Sequence, residues 1–140
     1  MKSSMARRTE CYVDTSALIA LLDRSDTFHP VFRRLFSDPP PLATSALVIA
    51  EGHGWFLRRY DQHRAVQFLA FVSELPRFVV CGFDSDALDE TSHMVRKYSD
   101  QKLTLADAHG LIIMRQRKTS ECWSTDRHLG LTGVPLVISL

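Results

Sequence analysis

The sequence predicts an α/β protein, with a mostly parallel central sheet between two helical layers in a three-layer α/β/α sandwich. Short apolar runs typical of buried strands alternate along the chain with longer stretches of helical periodicity. Strands that are separated by helices pair in parallel and are covered on both faces. The length of 140 residues suits one domain with a sizeable core.

The elements follow from apolar periodicity and from the residues that interrupt it. Predicted strands lie at residues 10–14, 42–44, 77–82, 121–124 and 135–139, and predicted helices at residues 16–23, 27–36, 45–60, 62–75, 84–98 and 104–118. The three consecutive prolines at residues 39–41 end the second helix and mark a break between elements rather than a domain boundary. Functional groups of such sheets gather at the carboxyl ends of the strands.

Composition excludes several classes of protein. Apolar residues make up 45% of the chain and charged residues 24%, as in ordinary soluble domains. Three widely spaced cysteines without a CxxC pair indicate neither a disulfide framework nor a zinc ribbon, and a reducing cytoplasm is expected. No signal peptide or membrane span is predicted. Residues 1–9 are expected to form a flexible polar lead, and residues 10–140 a single domain.

Charge alone does not indicate a nucleic-acid partner, because the net charge is only +1. The chain contains 13 Arg and 4 Lys. This bias fits phosphate binding by guanidinium groups, and it fits a GC-rich genome equally well.

Two acidic residues follow predicted strands. Asp14 ends the run Cys11-Tyr12-Val13, and Asp126 follows the strand at residues 121–124. Both carboxylates are therefore expected at the functional edge of the sheet. The alternatives are a helix N-cap for Asp14 and a turn residue for Asp126.

Two further acidic residues lie within predicted helices. Glu51 has Leu47 four residues before it and Trp55 four residues after it, so its carboxylate is expected on an apolar helix face. An ionised group buried there needs a metal or a cation, and a salt bridge to a nearby arginine, Arg58 or Arg59, is the alternative. Asp107 has the same spacing to leucines, and it also fits a capping box that begins at Thr104.

These four carboxylates can converge on one crevice, where their mutual repulsion would be relieved by divalent cations. Ligand sets made only of oxygen favour Mg²⁺ or Mn²⁺ over Zn²⁺.

Four segments resemble, in order and spacing, the motifs of PIN domains of the VapC toxin type. They are residues 12–18 (YVDTSAL), 44–51 (TSALVIAE), 98–108 (YSDQKLTLADA) and 124–129 (STDRHL). Together they span nearly the whole chain from residue 10. A single motif of this kind would be weak, whereas the ordered set is specific.

The resemblance implies a single PIN domain that cleaves RNA with the help of a divalent metal, Mg²⁺ or Mn²⁺. It also implies a cognate antitoxin partner, which short members of the family often have. The residues that match the family's acidic positions are Asp14, Glu51, Asp107 and Asp126. Asp100 matches an accessory acidic position of the family. Ser16 and Ser124 match its hydroxyl positions. Two departures from the pattern, Leu129 in place of an aromatic residue and His53 between two glycines, bear on substrate choice.

Further expectations concern contacts outside the acidic set. Arg127 and Lys102 are candidates to bind flanking phosphates, and His128 and His53 to contact a phosphate or act as bases, although exposed charges are commonly only solvated. The apolar segment at residues 28–36 predicts an exposed patch and hence a homodimer.

Two other readings of the sequence remain. One is a PIN-like module that binds RNA or protein without catalysis. The other is a different acidic-pocket protein, although Asp14 is followed by Thr15-Ser16 rather than by the second acid that a phosphatase or a receiver domain requires.

Overall fold

The computed structural model describes residues 9–138, and within them four strands form one parallel sheet. The strands are β1 (Cys11–Val13), β2 (Leu42–Ser45), β3 (Phe78–Cys81) and β4 (Glu121–Trp123). Their order across the sheet is β3-β2-β1-β4, so β1 and β2 are central and β3 and β4 are outer strands.

Helices connect these strands and cover both faces of the sheet. They are α1 (Thr15–Leu22), α2 (His29–Leu35), α3 (Ala46–Arg59), α4 (Gln62–Glu74), α5 (Ser85–Lys97) and α6 (Leu105–Arg117), with short 3₁₀ turns at Ser99–Gln101 and Arg127–Gly130. None of the helices in the described part of the chain is long and apolar enough to cross a membrane.

The core consists of two apolar clusters, one on each face of the sheet. Along β1, Cys11 and Val13 belong to the cluster that contains α1 to α4, whereas Tyr12 belongs to the cluster that contains α5 and α6. The side chains of β4 alternate in the same way, with Trp123 in the first cluster and Cys122 in the second. Alternation of this kind is the period of a strand that is buried on both sides. The predicted three-layer α/β/α fold is therefore confirmed.

The main difference between the predicted and the observed elements concerns the strand predicted at residues 135–139. Only one bridge forms in the described residues, where Cys122 pairs in parallel with Leu136. Two backbone hydrogen bonds accompany it, from Cys122 N to Pro135 O and from Val137 N to Cys122 O, both 2.8 Å. Pro135 has no N–H to donate, and Gly133 turns the chain just before it with φ of +93°. Within residues 135–138, the described part of the predicted strand, no longer ladder develops beside β4, and residue 139 lies outside the described residues.

The predicted apolar patch at residues 28–36 is also absent, because the segment packs inward. Phe32 is completely buried, and Phe28, Leu35 and Phe36 pack against the cluster on the α1–α4 side. The Phe36 ring meets Trp123 edge to face at a centroid distance of 4.9 Å. This segment therefore offers no argument for self-association, and a homodimer stays a prediction.

The expected polar lead at residues 1–9 lies outside the described residues except for Thr9. That residues 10–140 form a single domain stays a prediction.

Candidate metal centre

The candidate site lies at the carboxyl ends of β1 and β4, where the sheet brings two distant segments together. Val13 is in register with Trp123, and the backbone N–H of Asp14 continues the ladder by donating to Trp123 O at 3.0 Å. Asp14 and Ser124 therefore leave the sheet side by side, although 110 positions separate them in the sequence. This edge is where parallel sheets commonly place functional groups.

Asp14 is nearly buried and is held by two hydroxyl groups. Only 6% of the residue is exposed. Its Oδ2 accepts hydrogen bonds from Ser16 Oγ at 3.1 Å and Ser124 Oγ at 3.0 Å. Burial raises the pKa of this carboxyl from 3.8 to about 6, and the nearby charge of Asp107 adds to the increase, although the hydrogen bonds partly oppose it. Asp14 occupies the N-cap position of α1, but its side chain makes no capping hydrogen bond. Capping is therefore not what its carboxylate does.

The two serines connect Asp14 to the loop that carries Asp126. Their Oγ atoms lie 3.2 Å apart. Ser16 Oγ accepts from Thr125 N at 3.0 Å, and Ser124 Oγ accepts from Asp126 N at 2.8 Å. The hydroxyl groups thus fix the loop after β4 relative to the end of β1, which is the arrangement a rigid ligand set requires.

Asp107 enters the site from the first turn of α6. It forms a capping box with Thr104: Asp107 N donates to Thr104 Oγ1 at 3.1 Å, and Thr104 N donates to Asp107 Oδ2 at 3.2 Å. Burial raises the pKa of the Asp107 carboxyl, and the neighbouring charge of Asp126 raises it further. The capping alternative for Asp107 is thus correct, and capping holds the carboxylate close to Asp126.

Asp126 begins the 3₁₀ turn at Arg127–Gly130 and is paired with His128. Its Oδ1 accepts a hydrogen bond from the backbone N of His128 at 3.0 Å and lies 3.0 Å from His128 Nδ1. One donor atom each from Asp107, Asp126 and His128 lies within 4.8 Å of the other two. From the sequence, His128 is expected only to contact a phosphate or act as a base. The signal for a closer role was the Asp-x-His spacing, which a tight turn brings onto one side.

Comparison with family models decides the family of the chain. The PIN domain model matches residues 11–131. The chain belongs to the PIN domain family. The match covers all the segments on which the resemblance rested, so that prediction is confirmed. A search of curated protein sequences gave no match.

Solved structures similar to this PIN domain include bacterial toxins. The toxin VapC20 of Mycobacterium tuberculosis, which cleaves the sarcin–ricin loop, superposes with a TM-score of 0.80 at 23% identity, over 89% of this chain and 95% of that one. A toxin–antitoxin complex from Klebsiella pneumoniae gives a TM-score of 0.60 at 20% identity, with 91% and 96% of the two chains covered. VapBC2 of Rickettsia felis, bound to a DNA fragment from its promoter, gives 0.59 at 11% identity, with the same coverage. At these identities the likeness establishes the fold of the PIN domain.

Glu51 stands apart from the other three acids. The expectation that its side chain is buried is wrong, because Glu51 is exposed on α3. A long carboxylate on a helix margin reaches solvent even when Leu47 and Trp55 share its side of the helix. Its Oε1 accepts a hydrogen bond from Thr15 Oγ1 at 2.6 Å, which places it next to the residue that follows Asp14. The ion pairs found within residues 9–138 do not include Glu51, so the salt-bridge alternative gains no support.

The remaining candidates lie around the rim of the PIN-domain site or away from it. Asp100 and Lys102 are exposed in and after the 3₁₀ turn before α6, and Asp100 Oδ2 accepts a hydrogen bond from Gln101 at 3.3 Å. Arg127 is exposed directly after Asp126, whereas His53 lies partly buried within α3. The functional roles of these residues and of the four acids stay predictions.

Gly52, one of the two glycines that flank His53, is explained by helix packing. A Cβ atom on Gly52 would collide with the Phe68 ring, so this position lets α4 approach α3 closely. The departure from the family pattern at residues 52–54 therefore reflects helix packing at Gly52.

The donor set of the site fits a hard divalent cation. Three aspartates at one edge of the sheet offer oxygen ligands, and burial, the largest cause of the raised pKa values of Asp14 and Asp107, disfavours their ionised forms. A cation would stabilise the ionised carboxylates. Asp107 and Asp126 are the aspartates whose donor atoms lie close enough to share an ion, with Asp14 beside them.

Proposed function

We propose that this PIN domain is a metal-dependent endoribonuclease that hydrolyses RNA phosphodiester bonds, and that it is the toxin of a toxin–antitoxin pair. The observation that carries the proposal is the closeness of Asp107 and Asp126, whose donor atoms lie within 4.8 Å of each other, beside Asp14, which is near the charge of Asp107 and is linked to Asp126 through Ser124. Accumulating uncompensated carboxylates is unfavourable for stability, so their concentration at one edge of the sheet supports a catalytic role.

Mg²⁺ or Mn²⁺ bound by these residues would polarise the scissile phosphate and lower the pKa of a bound water. The rigid pair Asp14–Ser124 sets the position of the central ligand, and the capping box sets that of Asp107. Asp126 completes the set from the loop after β4.

Glu51 is assigned the role of proton acceptor or of a ligand that acts through water. Its exposure leaves the carboxylate in contact with solvent, and the hydrogen bond from Thr15 orients it beside Asp14. In the proposed reaction, water attacks phosphorus and gives its proton to Glu51. The bond from phosphorus to the leaving oxygen breaks, that oxygen takes up a proton from solvent, and Glu51 then releases its proton to solvent.

Partners and location form the rest of the proposal. Exposed Arg127 and Lys102 are suited to contact phosphates that flank the cleaved bond, and Asp100 is assigned an accessory role at the rim. A cognate antitoxin is proposed because similar folds occur in toxin–antitoxin complexes. A homodimer and a cytoplasmic location remain parts of the proposal.

The decisive experiment measures cleavage of a panel of structured RNAs, including ribosomal and transfer RNA fragments, by the purified chain. We expect cleavage with Mg²⁺ or Mn²⁺, none in EDTA, and none for Asp126→Asn. Asp61→Asn is the matched control, because Asp61 caps α4 and is not part of the acidic cluster. Cleavage that is equal with and without chelator would reject the metal-dependent mechanism. RNA binding without cleavage by the wild type, unchanged by Asp126→Asn, would favour the non-catalytic module.

A further inference from the structure

We propose that His128 is a further protein ligand of the cation, beside the aspartates of the site, and that its imidazole makes the site prefer Mn²⁺ over Mg²⁺. The inference rests on the proposed metal-dependent function and adds a nitrogen donor to an otherwise oxygen-only set.

The geometry of the turn after β4 supports this assignment. The backbone N–H of His128 is bound to Asp126 Oδ1 at 3.0 Å, so the turn holds residue 128 next to the carboxylate. Its Nδ1 lies 3.0 Å from the same oxygen. Leu129, which follows, is completely buried, and it anchors the turn in the core. His128 therefore sits on a fixed piece of backbone rather than on a loose loop.

The separation of the donor atoms suits one ion. Ligands at about 2.1 Å from a common cation are themselves separated by roughly 3 to 4.2 Å. Donor atoms of Asp107, Asp126 and His128 all lie within 4.8 Å of one another, so a small side-chain adjustment suffices. The three residues come from two elements, α6 and the turn after β4.

The exposure of the pair leaves room for an ion to enter. The side chains of His128 and Asp126 are 40% and 35% exposed, so neither is locked inside the core. The competing role for His128 is a charged partner of Asp126 that binds no metal. That role would leave the coordination of any bound cation entirely to oxygen.

The donor type determines the metal preference. Mg²⁺ requires near-ideal octahedral coordination and favours oxygen, whereas imidazole nitrogen is a good ligand for transition metals. A neutral imidazole in the first coordination sphere therefore favours Mn²⁺ relative to Mg²⁺.

The test uses pulsed EPR of the whole chain loaded with Mn²⁺ alone. In the wild type, we expect the electron spin echo of Mn²⁺ to be modulated by a directly bound ¹⁴N nucleus. The same modulation is expected in the control His93→Asn, because His93 is exposed on α5. Labelling the wild type with [¹⁵N]histidine should replace the ¹⁴N signal with that of ¹⁵N. The signal should disappear in His128→Asn. His128→Gln serves as a second variant, and circular dichroism verifies that each variant is folded.

Affinity gives an independent readout. Titration of free Mn²⁺, followed by EPR, should show at least about tenfold weaker binding for His128→Asn, since loss of an outer-shell partner alone reduces metal affinity by this factor or more. Mg²⁺ affinity, measured by competition, should change much less.

The outcomes separate this inference from the proposed function. One outcome is that Mn²⁺ binds the wild type without nitrogen coupling and does not bind Asp126→Asn. This outcome would overturn the role of His128 and leave the proposed metal-dependent nuclease intact. Nitrogen coupling that persists in folded His128→Asn would assign another histidine and overturn it as well. Failure of the wild type to bind either cation would reject both proposals.

Discussion

The Ser124 hydroxyl lies between two of the candidate ligands, donating to Asp14 Oδ2 at 3.0 Å and accepting from the backbone N–H of Asp126 at 2.8 Å. One small side chain at the end of β4 thereby sets the spacing between Asp14 and Asp126. This relationship leads to the first prediction.

Ser124→Ala should impair both stability and cleavage. The substitution removes one of the two hydroxyl donors to the buried Asp14 Oδ2 and the acceptor of Asp126 N–H, so we expect a loss of about 1–3 kcal/mol in the free energy of unfolding, measured in urea. Cleavage should fall by about tenfold or more as the ligands lose their fixed spacing. Ser73→Ala is the control, because this exposed hydroxyl binds only a carbonyl of its own helix. A variant as active as the wild type would show that the hydroxyl does not position the site.

The raised pKa of Asp14 predicts how pH affects stability in metal-free buffer. Its folded pKa of about 6 lies above the value of 3.8 for an unperturbed carboxyl, so the folded state binds the proton more tightly. The associated stability is fully present below about pH 4 and is lost as the pH rises through about 6. Asp14→Asn should therefore gain in melting temperature relative to the wild type between pH 4 and pH 7. A melting temperature far below that of the wild type at pH 7 would instead assign Asp14 a structural role.

The same carboxyl predicts the pH dependence of cleavage. An aspartate must be ionised to bind a cation, so at limiting metal the rate should fall as the pH decreases through about 6. Saturating metal should shift this loss to lower pH, because the cation stabilises the ionised form. A pH–rate profile at two metal concentrations provides the measurement, and identical profiles would contradict the assignment.

Substitutions of Asp107 should separate its two roles. Asp107→Asn keeps an oxygen that accepts from Thr104 N, whereas Asp107→Ala loses that half of the capping box. Both variants should lose cleavage, but only the alanine variant should lose about 0.5–2 kcal/mol of stability. Chemical denaturation and a cleavage assay on the same preparations test this. Equal stability of the two variants would show that the cap contributes little.

Glu51→Gln should affect chemistry and not folding. The residue is exposed, so its substitution should leave stability within about 0.5 kcal/mol of the wild type. Single-turnover cleavage should fall by at least about a hundredfold, the size expected when a general base or a ligand is lost. RNA affinity should be retained, as measured by a binding assay in Ca²⁺. Glu74→Gln, an exposed change at the end of α4, is the control.

A polar cluster away from the site offers a test of the fold alone. Asp23 Oδ1 accepts hydrogen bonds from Ser25 N, Ser25 Oγ and Tyr60 OH. Burial alone would raise the pKa of Asp23, but these bonds and the charge of Arg64 lower it. The resulting stability is present above the unfolded pKa and is lost as the pH falls through the folded value. Tyr60→Phe should reduce the free energy of unfolding by about 0.5–1.5 kcal/mol at pH 7, by less at pH 3, and should leave cleavage unchanged.

Alternating strand and helix patterns in the sequence predicted the layered fold, because burial on both faces produces continuous apolar runs such as the one that ends at Asp14. In the described part of the strand predicted at residues 135–139, a single bridge forms at Leu136, since apolar character alone does not supply a backbone partner at every residue. Local pattern also predicted the capping box at Asp107, which depends on residues only three positions apart.

The amino-acid sequence by itself determined which elements form, which family the motifs resemble and which acids follow strand ends, because these depend on local spacing. Tertiary structure decided which of these acids meet. It placed Ser124 against Asp14 across 110 positions, brought Asp107 and Asp126 to His128, and left Glu51 exposed on its helix. Helical periodicity gives the side of a helix but not how far a long carboxylate reaches beyond the packed surface, and the register between β1 and β4 arises only when the sheet assembles.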